Sequence, residues 1–200
     1  MSRGKAGGFT LVEMMVALLV LAVLIVISAP GFSNLIKNNR MLSHMYAMRA
    51  ALNGARSEAL AQRNIVTLCR SADGAKCCHN PPADPACSAG DWNTGFIAFL
   101  DDNGNSADRG NSAVDPNDQI FISKVLDVDT LEVKKIDTDW PDFVQFDSRG
   151  YATNSSQGTF RVCDDRGDDY MRGIEVTLGG MVVALDPNDP SIDFDCRTAP

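Results

Sequence analysis

Imidazole is nearly absent from this sequence. Its 200 residues include two histidines, His44 and His79, which leaves little for acid–base work. No G-x-S-x-G, H-E-x-x-H, P-loop or dinucleotide fingerprint occurs, so the reaction classes those motifs mark have no foothold. Internal repeats and low-complexity tracts are missing too. Positive charge is scarce after residue 75. Residues 76–200 hold ten Lys/Arg against 23 acids, a net of −13, whereas residues 31–75 hold six against two, a net of +4. A basic stem thus precedes an acidic head. That head argues against generic phosphate-backbone binding, which needs Lys and Arg to neutralise phosphates. The reading is of a protein that is not an enzyme and needs no cofactor.

What the sequence has instead is one long apolar run. Between Phe9 and Ala29 only Thr10, Glu13 and Ser28 are polar. Those residues would span about 31 Å as a helix, the thickness of a bilayer's hydrocarbon core. Arg3 and Lys5 precede the run, and positive charge there keeps that end in the cytoplasm and sends the rest outward. A secretory signal would end in a small-x-small site; Ile27-Ser28-Ala29 is a poor match. A carboxylate in hydrocarbon costs several kcal/mol on insertion scales, at least about 2.5, so Glu13 requires a partner or a function. Pro30 closes the run and either kinks the helix or ends it.

Beyond it, Phe32, Leu35, Ile36, Leu42, Met45, Met48, Leu52, Ala55, Ala59 and Leu60 recur mostly in steps of three and four, the mark of a helical face. Met41, Met45 and Met48 should pack against a sheet, and His44 should lie on the stem surface. The helix should end near Arg63-Asn64, where Ile65 to Cys69 turns to β-branched chemistry. Strands are expected at Phe96–Leu100, Gln119–Leu126, Leu131–Ile136, Phe143–Phe146, Thr159–Cys163, Ile174–Leu178 and Met181–Leu185. Gly179-Gly180 reads as a two-residue hairpin turn, with Ile174, Val176 and Leu178 on the buried face.

The stretch "GGFTLVE" resembles the signal of type IV pilins and type II secretion pseudopilins. The resemblance implies a prepilin peptidase that cuts between Gly8 and Phe9 and methylates the new amine of Phe9. It also implies a Glu13 that meets the N-terminal amine of a neighbouring subunit during assembly, and a helix bent or partly melted at Pro30. "ARSEALAQRNIVTLCRSADGAKC", "WNTGFIAFLDDNGN" and "VQFDSRGYATNSSQGTFRVC" resemble minor pilins of the FimT/FimU type, whose head is like that of the pseudopilin GspH. The implied fold class is α+β, a pilin-like lollipop. One long N-terminal helix, half membrane and half amphipathic, packs on an antiparallel β-rich head. The expected organisation is a leader 1–8, a transmembrane helix 9–29, a stem 30–63 and a periplasmic head 64–200. Implied partners are other pilin or pseudopilin subunits, the peptidase, the assembly machinery and the inner membrane before filament entry. Two alternatives to a pilus role stand: a pseudopilin of type II secretion, and DNA uptake through Arg149, Arg161, Arg166, Arg172 and Arg197. Asp164, Asp165, Asp168, Asp169, Asp193 and Asp195 crowd those arginines, which favours surface arginines balancing acids.

Six cysteines follow the apolar run: Cys69, Cys77, Cys78, Cys87, Cys163 and Cys196. An even number behind a translocation signal reads as disulfides in an oxidising compartment. The resemblance suggests Cys163–Cys196. For the rest, Cys69–Cys77 with Cys78–Cys87 comes first, and Cys69–Cys78 with Cys77–Cys87 stays open. "CCHNPPADPACSAG" reads as an insertion into a loop the family keeps short. A zinc site from Cys69, Cys77, Cys78, His79 and Cys87 fits less well, because adjacent cysteines are not the usual C-x2-C grip. Asp101, Asn103 and Asn105 start like a calcium loop, but Ser106 and Ser112 stand where Gly and Glu belong; a turn is expected there, and a loop at "DPNDPSIDFD". Asn154-Ser155-Ser156 matches a glycosylation triplet too common to carry weight.

Overall fold

The computed structural model describes residues 8–78, 92–101, 110, 113–115, 118–126, 131–135, 143–153, 156–185 and 196, the side chains of 28–30 and 134–135 excepted. The chain divides into two compact units, Met1–Arg40 and Met41–Pro200. The fold is α+β: a helix α1, Leu11–Gln62, followed by antiparallel strands.

In the first unit, α1 from Leu11 to Ile27 is apolar but for Glu13, and every one of those residues is exposed. Leu24 is still 57% exposed and Ile27 69%. Phe32, Leu35 and Ile36 are exposed as well, so the core-facing stripe read from the sequence does not begin there. Taken as two parts, Leu11–Ile27 and Gly31–Gln62, the helix has the length and composition of a membrane span; no single unbroken helix among the described residues does.

In the second unit the stripe is real. Met41, Met45, Met48, Ala51, Leu52, Ala55 and Ala59 are buried in the main core. Leu42 and Leu60 stay partly exposed, one step off that face. His44 corrects the expectation of a surface position: it is 4% exposed, because it falls on the turn between Met41 and Met48. The helix stops at Gln62 because Arg63 turns left-handed at φ 54°. The Asn64 amide then reaches back to the Ala59 carbonyl at 3.2 Å, the six-to-one bond of a Schellman cap.

Two sheets follow. In the first, β1 (Val66–Arg70) is central between β2 (Gly95–Leu100) and β5 (Phe143–Phe146), with β3 (Gln119–Val125) and β6 (Ala152–Thr153) outermost. In the second, β4 (Glu132–Lys135), β7 (Gly158–Cys163), β8 (Arg172–Val176) and β9 (Val182–Leu185) lie in that order. All pairings are antiparallel. Every residue of β1 is buried. Its Val66 and Leu68 join the main core, while Cys69 joins Ile97 and Phe99 in a second cluster. Trp92 and Phe160 meet edge to face at 5.0 Å in the main core.

The Gly179-Gly180 turn is longer than expected. The Gly180 amide bonds the Thr177 carbonyl at 2.8 Å and the Thr177 amide bonds Met181 at 2.9 Å. That is a three-residue loop closed by Gly180 at φ +74°, a common hairpin form. Leu178 therefore leaves the strand and is 63% exposed. Gly180 also lies against Gly150 of the β5–β6 turn, where a Cβ would collide with the Gly150 carbonyl oxygen. Arg56 on α1 fastens the same place. Its Nε donates to the Gly150 carbonyl at 3.0 Å and a terminal nitrogen to the Gly179 carbonyl at 3.1 Å.

Candidate functional site

The helix start is built as a reciprocal cap. Thr10 precedes the first helical residue, Leu11, and its carbonyl accepts the Met14 amide at 3.2 Å. The Thr10 hydroxyl accepts the Glu13 amide at 3.3 Å, and Glu13 Oε2 returns to accept the Thr10 amide at 3.3 Å and its hydroxyl at 3.4 Å. This is a capping box, which satisfies two amides that a helix start otherwise leaves open. The carboxylate also sits at the positive end of the helix dipole. Glu13 thus has a partner inside its own chain, a role the sequence reading missed. Its signal was present: Thr-x-x-Glu just before an apolar run. Phe9, 80% exposed, and Gly8, with open space around it, lead into the cap. Arg3 and Lys5 lie outside the described residues, as does the Pro30 side chain on which the expected kink rests.

The head's polar groups are largely turned inward. Thr67, Asp101 and Gln145 are buried on the face of the first sheet away from the helix. The Thr67 hydroxyl donates to Asp101 at 2.6 Å, and the Gln145 amide nitrogen donates to Thr67 at 2.9 Å and to Asp101 at 3.2 Å. The Gly110 amide donates to the other Asp101 oxygen at 3.0 Å. The first acid of the calcium-like stretch is therefore committed to internal bonds. Asn103, Asn105 and Ser106 lie outside the described residues, as do Ser112, Asn154, Ser155 and residues 186–195, where a loop is expected.

Cys69 is bonded to Cys77 with Cα atoms 5.6 Å apart, and Cys163 to Cys196 at 5.9 Å. Cys78 is disulfide-bonded as well; the Cys78–Cys87 pairing lies outside the described residues because Cys87 does. Sulfurs spent in disulfides are not thiolate ligands, which removes Cys69, Cys77 and Cys78 from the zinc set. His79 lies outside the described residues.

Of the candidate DNA-contacting arginines, Arg149 pairs with Asp147 at 2.9 Å and leans over Tyr151. Arg166, its side chain 8% exposed, makes a forked pair with Asp164 and stacks on Tyr170 at 4.1 Å. Arg172 donates to the Met171 carbonyl, Arg161 is half-buried, and Arg197 lies outside the described residues. Around Asp147, burial raises the carboxyl's pKa, but the Tyr151 and Arg149 amides and the Arg149 guanidinium outweigh it and hold it low. His44 stands apart: among the described residues neither ring nitrogen has a hydrogen-bond partner, and burial holds its pKa below the ordinary 6.5.

Comparison with known proteins agrees with this architecture. The family described as Type II transport protein GspH matches residues 46–180, and the Prokaryotic N-terminal methylation motif matches residues 3–29. Two crystal forms of the type IV minor pilin FimU of Pseudomonas aeruginosa share the fold. At 18% identity they give TM-scores of 0.50 and 0.51, covering 74% and 76% of this chain and 94% and 93% of theirs. No curated protein matches. Since the GspH match takes in more than half of the chain, the protein belongs to the GspH family of minor pilins and pseudopilins and carries the prokaryotic N-terminal methylation motif.

Proposed function

We propose that this chain is a minor type IV pilin, a structural subunit that helps to initiate a pilus or is incorporated into one. The observation that carries the reading is α1 from Leu11 to Ile27, apolar but for Glu13 and exposed all round, opened by a capping box inside the methylation motif. A helix with that surface needs lipid or other apolar helices around it. On this reading the leader 1–8 is cut between Gly8 and Phe9, and Phe9 is methylated. Segment 9–29 waits in the inner membrane as a single span, with stem 30–63 and head 64–200 in the periplasm. The span then packs against other pilin subunits in the filament, where Glu13 faces a neighbour's N-terminal amine and Pro30 lets the helix bend. A type II secretion pseudopilus is the second reading, favoured by the family's description. Uptake of DNA draws less support, since Arg149 and Arg166 already hold carboxylates.

The intact mass of protein purified from membranes tests this. A chain that begins at methylated Phe9 is the expected result. A chain that begins near Pro30 would make the apolar run a discarded signal and remove the assembly reading.

A further inference from the structure

Thr67 and Gln145 stand directly opposite each other on β1 and β5. Asp101 follows Leu100, the last residue of β2, on the other side of β1. Their side chains meet in a dry site: Thr67 is 0% exposed, Asp101 1% and Gln145 1%. Burying polar groups costs free energy unless each finds partners, and here the partners are placed for more than mutual satisfaction. One carboxylate oxygen, Asp101 Oδ2, accepts the Thr67 hydroxyl at 2.6 Å and the Gln145 amide nitrogen at 3.2 Å. That nitrogen also lies 2.9 Å from the Thr67 oxygen. At the other end of the amide, the Thr153 hydroxyl donates to Gln145 Oε1 at 3.1 Å. The site thus holds an alcohol with a base on its proton, an amide with a donor on its oxygen, and a route for a proton from that base to the amide nitrogen.

We propose that Thr67 and Gln145 join in an ester cross-link that the chain forms by itself. The Thr67 oxygen attacks Cδ of Gln145 while Asp101 takes the hydroxyl proton, and the charge that develops on Oε1 is met by the Thr153 hydroxyl. Asp101 passes the proton to Nε2, the Cδ–Nε2 bond breaks, and the nitrogen leaves as ammonia. An O–C bond replaces a C–N bond, nothing is oxidised or reduced, and the carboxylate is regenerated. The torsion that turns a glutamine amide is broad. Cδ, bonded to a nitrogen already 2.9 Å from the nucleophile, can therefore swing to face it. The bridge Cβ–Oγ1–Cδ–Cγ–Cβ suits the roughly 4.5–5.5 Å between Cβ atoms of directly opposed residues. The register of β1 and β5 makes the two side chains intramolecular reactants, held together before the step begins. Exclusion of water then protects the ester from hydrolysis. The link is independent of which filament the chain serves.

The test is a peptide map of the full chain purified from membranes, with disulfides reduced and thiols capped before trypsin. Cleavage at Arg63, Arg70, Lys135 and Arg149 places Thr67 in the peptide 64–70 and Gln145 in the peptide 136–149. The expected result is one species at the sum of the two masses less one ammonia, which hydroxylamine, a reagent that cuts esters, splits in two. Thr67→Val, with no hydroxyl, should give two separate peptides, while Thr67→Ser keeps the nucleophile and should stay linked. In pulse-labelled cells, Asp101→Asn should slow the linkage about a hundredfold or more. Thr153→Val, at a half-buried position, should also slow it, and serves where Asp101→Asn fails to fold. Recovery of both peptides unlinked and at full mass from the natural sequence overturns the proposal whatever the variants do. So does a linked species that survives Thr67→Val or resists hydroxylamine, and a linkage as fast in Asp101→Asn as in the natural sequence overturns the proposed step.

Discussion

Glu13 has two separable properties, a charge and a hydrogen-bonding oxygen, and one pair of variants splits them. A capping box accepts Gln in place of Glu, so Glu13→Gln keeps the bond to the Thr10 amide and loses the charge. Glu13→Ala loses both. If the charge serves assembly, both variants should insert in the membrane and both should drop out of filaments, measured by immunoblot of sheared pili. Normal incorporation of Glu13→Gln alone would reduce the residue's role to capping. His44 is a second case of a side chain whose surroundings set its behaviour. The folded chain disfavours its imidazolium, whereas the unfolded chain protonates near the ordinary 6.5. Stability is therefore full above that value and declines as pH falls below it, by at most about 1.4 kcal/mol per pH unit. Thermal melts of the chain between pH 7 and 5 should show this decline, and His44→Met should flatten it.

Elements with a strong period were legible, and those set by tertiary contact were not. The buried stripe from Met45 to Ala59 repeats in threes and fours, and β5 is bounded as its apolar run predicts, Phe143–Phe146. The two-residue β6 and the single helical turn at Asp168–Tyr170 have too few residues to show a period. The stripe failed at Phe32 to Ile36 because helical spacing there marks an apolar surface without saying what covers it. Glu13 was legible as an unusual acid, but its cap was overlooked for the family role. Backbone geometry gives two opposite predictions. Arg63 holds a left-handed conformation that costs a side chain about 1–2 kcal/mol, so Arg63→Gly should stabilise by about 0.5–1 kcal/mol after allowing for the looser unfolded chain. Gly180→Ala should cost about 3 kcal/mol or more, because its methyl meets the Gly150 backbone rather than a movable side chain. Urea melts of the two variants check both signs.

At the scale of the whole molecule, cross-links make up part of what a modest head cannot secure by burial alone. The Cys163–Cys196 bridge closes 33 residues and Cys69–Cys77 closes 8. On chain-entropy grounds, losing the first should cost about 3–4 kcal/mol and losing the second about 2.5. Paired Cys→Ala variants, compared by denaturant midpoint, should therefore rank in that order; the reverse order would mean that residual structure in the unfolded chain dominates. Arg56 gives the molecule a mechanical property. One guanidinium on the helix grips a carbonyl from the turn of one sheet and a carbonyl from the hairpin of the other, at the point where those loops touch each other. A pull on this part of the helix is passed to a loop of each sheet at once. On the proposed pilus reading that joint shares the load in a fibre under tension, and Arg56→Met should let the head yield one sheet at a time.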